Sequence, residues 1–119
     1  MNYDDKITEV AMEIVVTAGE AREQANQALD AVSQFDFDKA REYLAEAKAY
    51  ITKAHNAQTE IIQTQIAGEA EYEPSLLFNH AQDTLMTVMT EINLTEKLIT
   101  LFEAFNEKME SSILMEKVC

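Results

Sequence analysis

The chain has 119 residues, of which 47% are hydrophobic and 26% charged, a length and balance typical of one globular domain. Its 22 acidic residues outnumber 9 basic ones and give a net charge of −13. Nucleic acid and anionic membranes are therefore disfavoured as partners, because their phosphates would be repelled. With only 2 glycines and 1 proline, the chain lacks the turn residues that β-proteins need, and it is expected to form a few long helices.

The cysteine content and the first residues indicate the compartment. Cys119 is the only cysteine, so it cannot close an internal disulfide, which favours a reducing environment. Residues 1–6 are acidic and lack the basic and apolar regions of a secretory signal, and no apolar run is long enough to span a bilayer. We therefore expect a soluble, cytoplasmic protein.

Helix one is predicted over about residues 5–33, where small and apolar residues alternate at spacings of four and three, as in a heptad stripe. The stripe consists of Ile7, Ala11, Ile14, Ala18, Ala21, Ala25, Ala28 and Val32. Gly19 inside this helix costs up to about 1 kcal/mol relative to alanine. Two interpretations are equally open: a neighbour needs the space, or Gly19 is an ordinary surface residue.

Helix two is predicted over about residues 37–66, with Asp36 as its N-cap. Its stripe consists of Ala40, Leu44, Ala47, Ile51, Ala54, Gln58, Ile61 and Gln65. Gln58 occupies a position that the pattern would make apolar, which indicates a stripe that becomes polar near its end or an interhelical hydrogen bond, rather than a site residue. His55 lies one position off the stripe and is interpreted as a boundary histidine.

Helix three is predicted from about residue 74 to 108 or beyond, because Gly68 suits a helix stop and Pro74 a first helical turn. The tail 109–119 either prolongs the helix or frays. The predicted core face consists of Phe78, Ala81, Leu85, Val88, Ile92 and Ile99. Short connections between three helices predict an all-α, antiparallel, up-down-up bundle, and residues 1–119 are assigned to a single domain.

A second face of helix three is polar. At about 100° per residue, with His80 as zero, it spans about 0° to −80°, well away from the core face at about 80° to 160°. This polar seam consists of His80, Asp83, Thr87 and Thr90. Because Met86 and Leu94 flank it, we expect this side to face another subunit.

The residue types and their spacing support few kinds of chemistry in this chain. The two glycines are too far apart for a phosphate-binding loop, and His80 with Asp83 lacks a third ligand for zinc. The imidazole of His80 remains as a nucleophile that could hold a phosphoryl group, with Gln82, Thr84 and Thr87 as candidate partners for phosphate oxygens. Asp83 is either a solvated acid or, if copies meet at a symmetry axis, a ligand of a hard cation such as Mg²⁺.

Three motifs resemble one known family. Residues 80–87 (HAQDTLMT) are similar to the phosphorylation-site signature of the lactose/cellobiose-type enzyme IIA components of the bacterial sugar phosphotransferase system. Residues 18–22 (AGEAR) and 54–59 (AHNAQT) are similar to that family in content and order. The resemblance covers about residues 7–106, with each motif on the corresponding helix.

The resemblance implies a homotrimer of three-helix bundles with helix three lining the centre. His80 would accept a phosphoryl group from the carrier protein HPr and pass it to a cysteine of enzyme IIB, for uptake of a lactose-, cellobiose- or chitobiose-type sugar. Gln82 would be an orienting residue, and Asp83 from three subunits would hold one shared Mg²⁺. At the position where the family often has a second histidine, this chain has Thr84. A role for a second imidazole near the phosphate is therefore not carried over to this chain.

The alternative is a non-catalytic helical adaptor or oligomerisation module. Its heptad stripes would only pack the bundle and its polar seam would only join subunits. The two hypotheses differ in one measurable property, since an adaptor would gain no phosphoryl group.

Overall fold

The computed structural model describes residues 3–68 and 75–118, which form three helices, α1 (Tyr3–Ser33), α2 (Phe37–Ile66) and α3 (Leu76–Val118). They build a rod with principal extents of 73 × 21 × 18 Å. The predicted all-helical fold is confirmed. α1 begins two residues earlier than expected, and α3 continues well beyond residue 108 instead of fraying. The assignment of residues 1–119 to a single domain stays a prediction.

The apolar stripes form the core. All eight α1 stripe residues and all six α3 core-face residues are buried. On α2, Ile51 and Gln65 are only half-buried, and the other six stripe residues are buried. Side chains at these spacings lie on one side of a helix, so each helix buries one face and leaves the opposite face to solvent or to a partner.

The core clusters show the direction of each helix. One cluster joins Ile7 from the start of α1, Ile61 from the end of α2 and Phe78 from the start of α3. The other joins Val32, from the end of α1, with α2 and α3 residues from the opposite end of the bundle. The up-down-up topology is therefore confirmed, and the first turns of α3 lie at the end of the bundle where α1 begins.

The helix ends follow local chemistry. Asp36 Oδ1 accepts a hydrogen bond from the backbone N–H of Lys39 at 3.1 Å, which confirms the predicted N-cap. Gly68, just after α2, has φ +70°, a left-handed conformation that favours glycine, and confirms the predicted stop. Pro74 lies outside the described residues. Ser75 Oγ accepts from the N–H of Phe78 at 3.1 Å and caps α3.

The structure distinguishes between the two interpretations of Gly19. The residue is exposed, and a Cβ added there would meet nothing within 4 Å. The idea that a neighbouring part of this chain needs the space is therefore wrong for the described residues, and Gly19 is a surface glycine of α1.

Ion pairs connect α3 to the other two helices. Arg22 on α1 donates to Glu91 on α3 through Nε to Oε2 at 2.8 Å and Nη2 to Oε1 at 3.1 Å. This hydrogen bond raises the pKa of Arg22 above its ordinary value, against a smaller opposing effect of desolvation. Both side chains are 43% exposed, so the pair contributes about 1 kcal/mol or less. Its two parallel contacts add geometric specificity, which favours one register of α3 along α1.

On α2, Lys48 donates to Glu96 and Arg41 donates to Glu103 at 3.1 Å. The hydrogen bond from Lys48 lowers the pKa of Glu96 below its usual value. These contacts to both neighbouring helices are compatible with the rotation of α3 that its buried core face requires, and that rotation fixes the direction of the polar seam.

Truncating a buried residue on the core face of α3 should destabilise the fold. Leu85 is fully buried on the core face of α3, so Leu85→Ala is expected to lower the free energy of unfolding by about 2–5 kcal/mol, because it leaves a cavity. Urea unfolding at matched protein concentration measures this change. Leu76→Ala is the matched control, since Leu76 is 89% exposed and its truncation should change stability by less than about 0.5 kcal/mol. Equal midpoints for both variants would contradict the assigned packing.

Candidate functional site

His80 lies in the second turn of α3, at the end of the bundle where α1 begins. Its side chain is exposed, while Phe78 and Ala81 on the core face of the same turns are buried. The apolar face of the helix thus packs in the core, and the imidazole lies on another side of the helix. The ring is not enclosed by aliphatic residues of its own chain, and a visiting protein can reach it.

Asp83 follows His80 by one helical turn and is also exposed. Side chains three residues apart on a helix are neighbours, with Cβ atoms about 5–6 Å apart. A phosphoryl group on His80 would therefore lie close to a negative carboxylate. Such a pair repels unless a cation or a donor from a partner neutralises part of the charge.

The threonines of the polar seam donate their hydroxyl protons to backbone carbonyl oxygens of their own helix. Thr87 Oγ1 donates to the carbonyl oxygen of Asp83 at 2.8 Å, and Thr90 Oγ1 donates to that of Met86 at 3.2 Å. Both residues are exposed. With its proton used in this way, the hydroxyl of Thr87 has none to donate to a phosphate oxygen in this conformation. The threonines of the polar seam therefore offer no hydroxyl proton to a ligand in this conformation.

Gln82 faces the bundle and not His80. Its Oε1 accepts a hydrogen bond from Nε2 of Gln58 at 3.1 Å, so the interhelical hydrogen bond considered for Gln58 is present. Two residues on a helix separated by two positions point about 160° apart. Gln82 therefore connects α3 to α2, and an effect on the His80 ring of the same chain would have to be indirect. His55 is exposed on α2, in keeping with a boundary residue.

Large apolar side chains flank the polar seam on the surface of α3. Met86 and Leu94 are each 57% exposed. Soluble monomers rarely expose apolar side chains in such groups. This pattern supports the expectation that another subunit faces this side of α3.

The described residues contain no group of three or more histidine, cysteine, aspartate or glutamate side chains that could hold a metal. Asp83 is the one carboxylate of the polar seam. A cation held by several carboxylates at Asp83 would therefore need some of them from other copies of the chain. Nor does any helix in residues 3–68 and 75–118 combine the length and apolar character needed to cross a bilayer.

Two contacts elsewhere on α3 were not predicted from the sequence. Thr95 is buried, and its Oγ1 donates to the carbonyl oxygen of Glu91 at 2.8 Å. Its spacing from Ile92 and Ile99 could have predicted its burial. The Arg22–Glu91 pair has no such signal, because the two residues are 69 positions apart and on different helices.

The fold and this site define a helical-bundle protein with an accessible histidine near the start of its third helix. Residues 9–103 match the sequence family described as "PTS system, Lactose/Cellobiose specific IIA subunit". The lactose-specific EIIA component of Lacticaseibacillus casei is 42% identical over 107 residues, which cover 90% of this chain and 95% of that protein.

Solved structures agree with the sequence comparison. The cellobiose-specific enzyme IIA from Bacillus anthracis superposes with a TM-score of 0.80 at 33% identity, covering 91% of this chain and 95% of that one. The IIA(Chitobiose) chain from its complex with HPr, of the Escherichia coli phosphotransferase system, gives a TM-score of 0.74 at 35% identity, with 84% and 96% covered. The chain belongs to the lactose/cellobiose-specific IIA family, whose members are phosphotransfer components of a sugar transport system.

Proposed function

We propose that this chain is a cytoplasmic phosphocarrier that accepts a phosphoryl group from phosphorylated HPr on His80 and passes it to a cysteine of enzyme IIB. The exposure of His80, on a side of α3 that the core does not use, is the observation that supports this role most directly. A protein that passes a phosphoryl group between two other proteins needs an accessible nucleophile that can be phosphorylated reversibly. It does not need a nucleotide pocket.

The proposed reaction is two displacements at one phosphorus atom. A ring nitrogen of His80 attacks the phosphorus of phosphohistidine on HPr, so one P–N bond forms as another breaks and the HPr histidine is released. A thiolate of enzyme IIB then attacks the same phosphorus, a P–S bond forms as the P–N bond to His80 breaks, and the imidazole of His80 is released in its starting state. Catalysis of such transfers depends mainly on positioning and on charge stabilisation.

HPr as donor is supported by the solved complex of HPr with a relative that is 35% identical to this chain. The sugar class is supported by relatives described as specific for lactose, cellobiose and chitobiose. This carrier would act on phosphate alone, and the sugar would bind to other components. Gln82 is proposed to orient His80 indirectly, because its hydrogen bond from Gln58 connects the start of α3 to α2.

The active form is proposed to be a homotrimer in which three α3 helices meet along Asp83, Thr87 and Thr90, with His80, about 60° from Asp83 around the helix, at the edge of this contact where HPr can still reach it. The exposed apolar residues around this seam support burial against other copies. Three Asp83 carboxylates would then approach one another, and their repulsion favours one shared Mg²⁺, which prefers oxygen ligands. Asp83 fits this role because it is an exposed carboxylate on the same face. The ion would supply charge neutralisation at the subunit contact.

Incubation with enzyme I, HPr and phosphoenolpyruvate tests the function. We expect intact-mass spectrometry to detect one added phosphoryl group per chain, lost on brief acid treatment because phosphohistidine is acid-labile. A reaction without HPr is the control and should leave the mass unchanged. An unchanged mass in the complete reaction would instead favour the non-catalytic adaptor.

A further inference from the structure

Thr84 lies one helical turn after His80 and on the other side of its ring from Asp83. With His80 as zero, Thr84 is at about +40° around the helix and Asp83 at about −60°. Side chains four residues apart on a helix are neighbours, with Cβ atoms about 5–6 Å apart. The hydroxyl of Thr84 is therefore close enough to contact a phosphoryl group carried by the imidazole.

The hydroxyl proton of Thr84 is not used by the fold. Thr87 and Thr90, which follow it on α3, each donate to a backbone carbonyl oxygen four residues earlier. The equivalent acceptor for Thr84 would be the carbonyl oxygen of His80. Thr84 makes no hydrogen bond to it, or to any other atom in the part of the chain that the structure describes. Of these three threonines, Thr84 alone keeps a proton for a ligand.

The oxygen of Thr84 is open to solvent although its side chain is half-buried. Among the described residues, Nε2 of Gln65 is the one buried side-chain nitrogen or oxygen without a partner. The unpaired Oγ1 of Thr84 is therefore accessible, and a phosphate oxygen can take the place of water there. Half-burial beside the core face also restricts this side chain, so less conformational entropy is lost when it binds.

Charge around His80 makes such a donor useful. From Leu76 to Glu96, α3 contains no lysine or arginine. Asp83 adds a negative charge one turn from the ring. A phosphoryl group on His80 therefore has no cationic donor on its own helix, and the hydroxyl of Thr84 is a neutral one at the right spacing. Hydrogen bonds to an ionised acceptor are stronger than those between neutral groups.

We propose that Thr84 is a phosphoryl-binding residue of this carrier, with its hydroxyl donating a hydrogen bond to a phosphoryl oxygen on phosphorylated His80. The proposal rests on the proposed function and adds a residue that holds the phosphoryl group between its arrival and its departure. Thr84 forms no bond to phosphorus, and its proton stays on its own oxygen. Because the hydrogen bond exists only after phosphorylation, it shifts the transfer equilibrium toward the phosphorylated carrier.

Equilibration of the full chain with purified phospho-HPr, without enzyme I or phosphoenolpyruvate, measures this shift. Intact masses of both proteins at neutral pH give the equilibrium constant for phosphoryl transfer. Thr84→Val replaces the hydroxyl by a methyl group of similar shape and is expected to lower this constant about tenfold. Thr84→Ala also lacks the hydroxyl and should show the same decrease. Thr84→Ser keeps the hydroxyl and should remain within about threefold of the unmodified chain.

Thr100→Val is the matched control, since it makes the same change at an exposed position about 30 Å further along α3. It should leave the equilibrium constant unchanged, and urea unfolding checks the fold of every variant. If the unmodified chain is phosphorylated and both Thr84→Val and Thr84→Ala retain its equilibrium constant, the Thr84 proposal is overturned and the proposed function stands. An equal loss in Thr84→Ser or in Thr100→Val would also overturn it, because the loss would not follow the hydroxyl of Thr84. An unmodified chain that gains no phosphoryl group would overturn both.

Discussion

His80→Ala is expected to abolish phosphorylation by phospho-HPr, while His55→Ala is expected to keep labelling at the level of the unmodified chain. The chain has two histidines, both exposed, one on α3 and one on α2. Removing the imidazole of His80 removes the ring nitrogen that would form the P–N bond, so we expect complete loss and not a partial decrease.

The paired variants also control for folding. Both substitutions are at exposed positions, so each should change the free energy of unfolding by no more than about 0.5 kcal/mol. Circular dichroism and urea unfolding measure this. Labelling that persists in His80→Ala and disappears in His55→Ala would move the phosphoacceptor to α2 and contradict the assignment to the polar seam.

Removal of divalent cations is expected to weaken the proposed trimer, and Asp83→Asn is expected to make the assembly insensitive to chelation. Two carboxylates 4 Å apart near a protein surface repel by about 4 kcal/mol. Loss of a shared cation should therefore raise the dissociation constant at least about a hundredfold, equivalent to about 2.8 kcal/mol. The neutral amide of asparagine removes this repulsion, and with it the need for the ion.

Sedimentation velocity with Mg²⁺ and with a chelator measures the effect. Asp30→Asn is the matched control, because it removes one negative charge from an exposed position on α1, away from the polar seam. We expect Asp30→Asn to remain as sensitive to chelation as the unmodified chain. Sedimentation that is the same with and without chelator, in the unmodified chain and in Asp83→Asn, would count against a shared ion.

Heptad spacing was sufficient to predict the packing of α1. Every stripe residue from Ile7 to Val32 is buried, because residues at alternating spacings of four and three lie on one side of a helix. Local chemistry likewise predicted two of the helix ends, since the Asp36 cap and the Gly68 stop depend on residues within a few positions. The cap at Ser75 was missed, although it is equally local.

Residues with polar side chains at boundary positions were harder to predict. Gln58 could have ended an apolar stripe or bonded to another helix, and only the position of Gln82 on the facing helix distinguished these outcomes. The same contact places Gln82 away from His80, which the motif alone did not reveal. Gly19 was equally ambiguous, because no spacing rule states how close a neighbouring helix will come.

The pattern of residues along the chain was enough to predict three amphipathic helices, their order, and the separation of His80 from the core face of its own helix. These features depend on the period of the α-helix, which is a local property of the chain. The pairs of residues that meet across helices, such as Arg22 with Glu91, and the length of α3 beyond them became visible in the folded chain. Those features depend on the axial register of packed helices, which is set by contacts between residues far apart in the sequence.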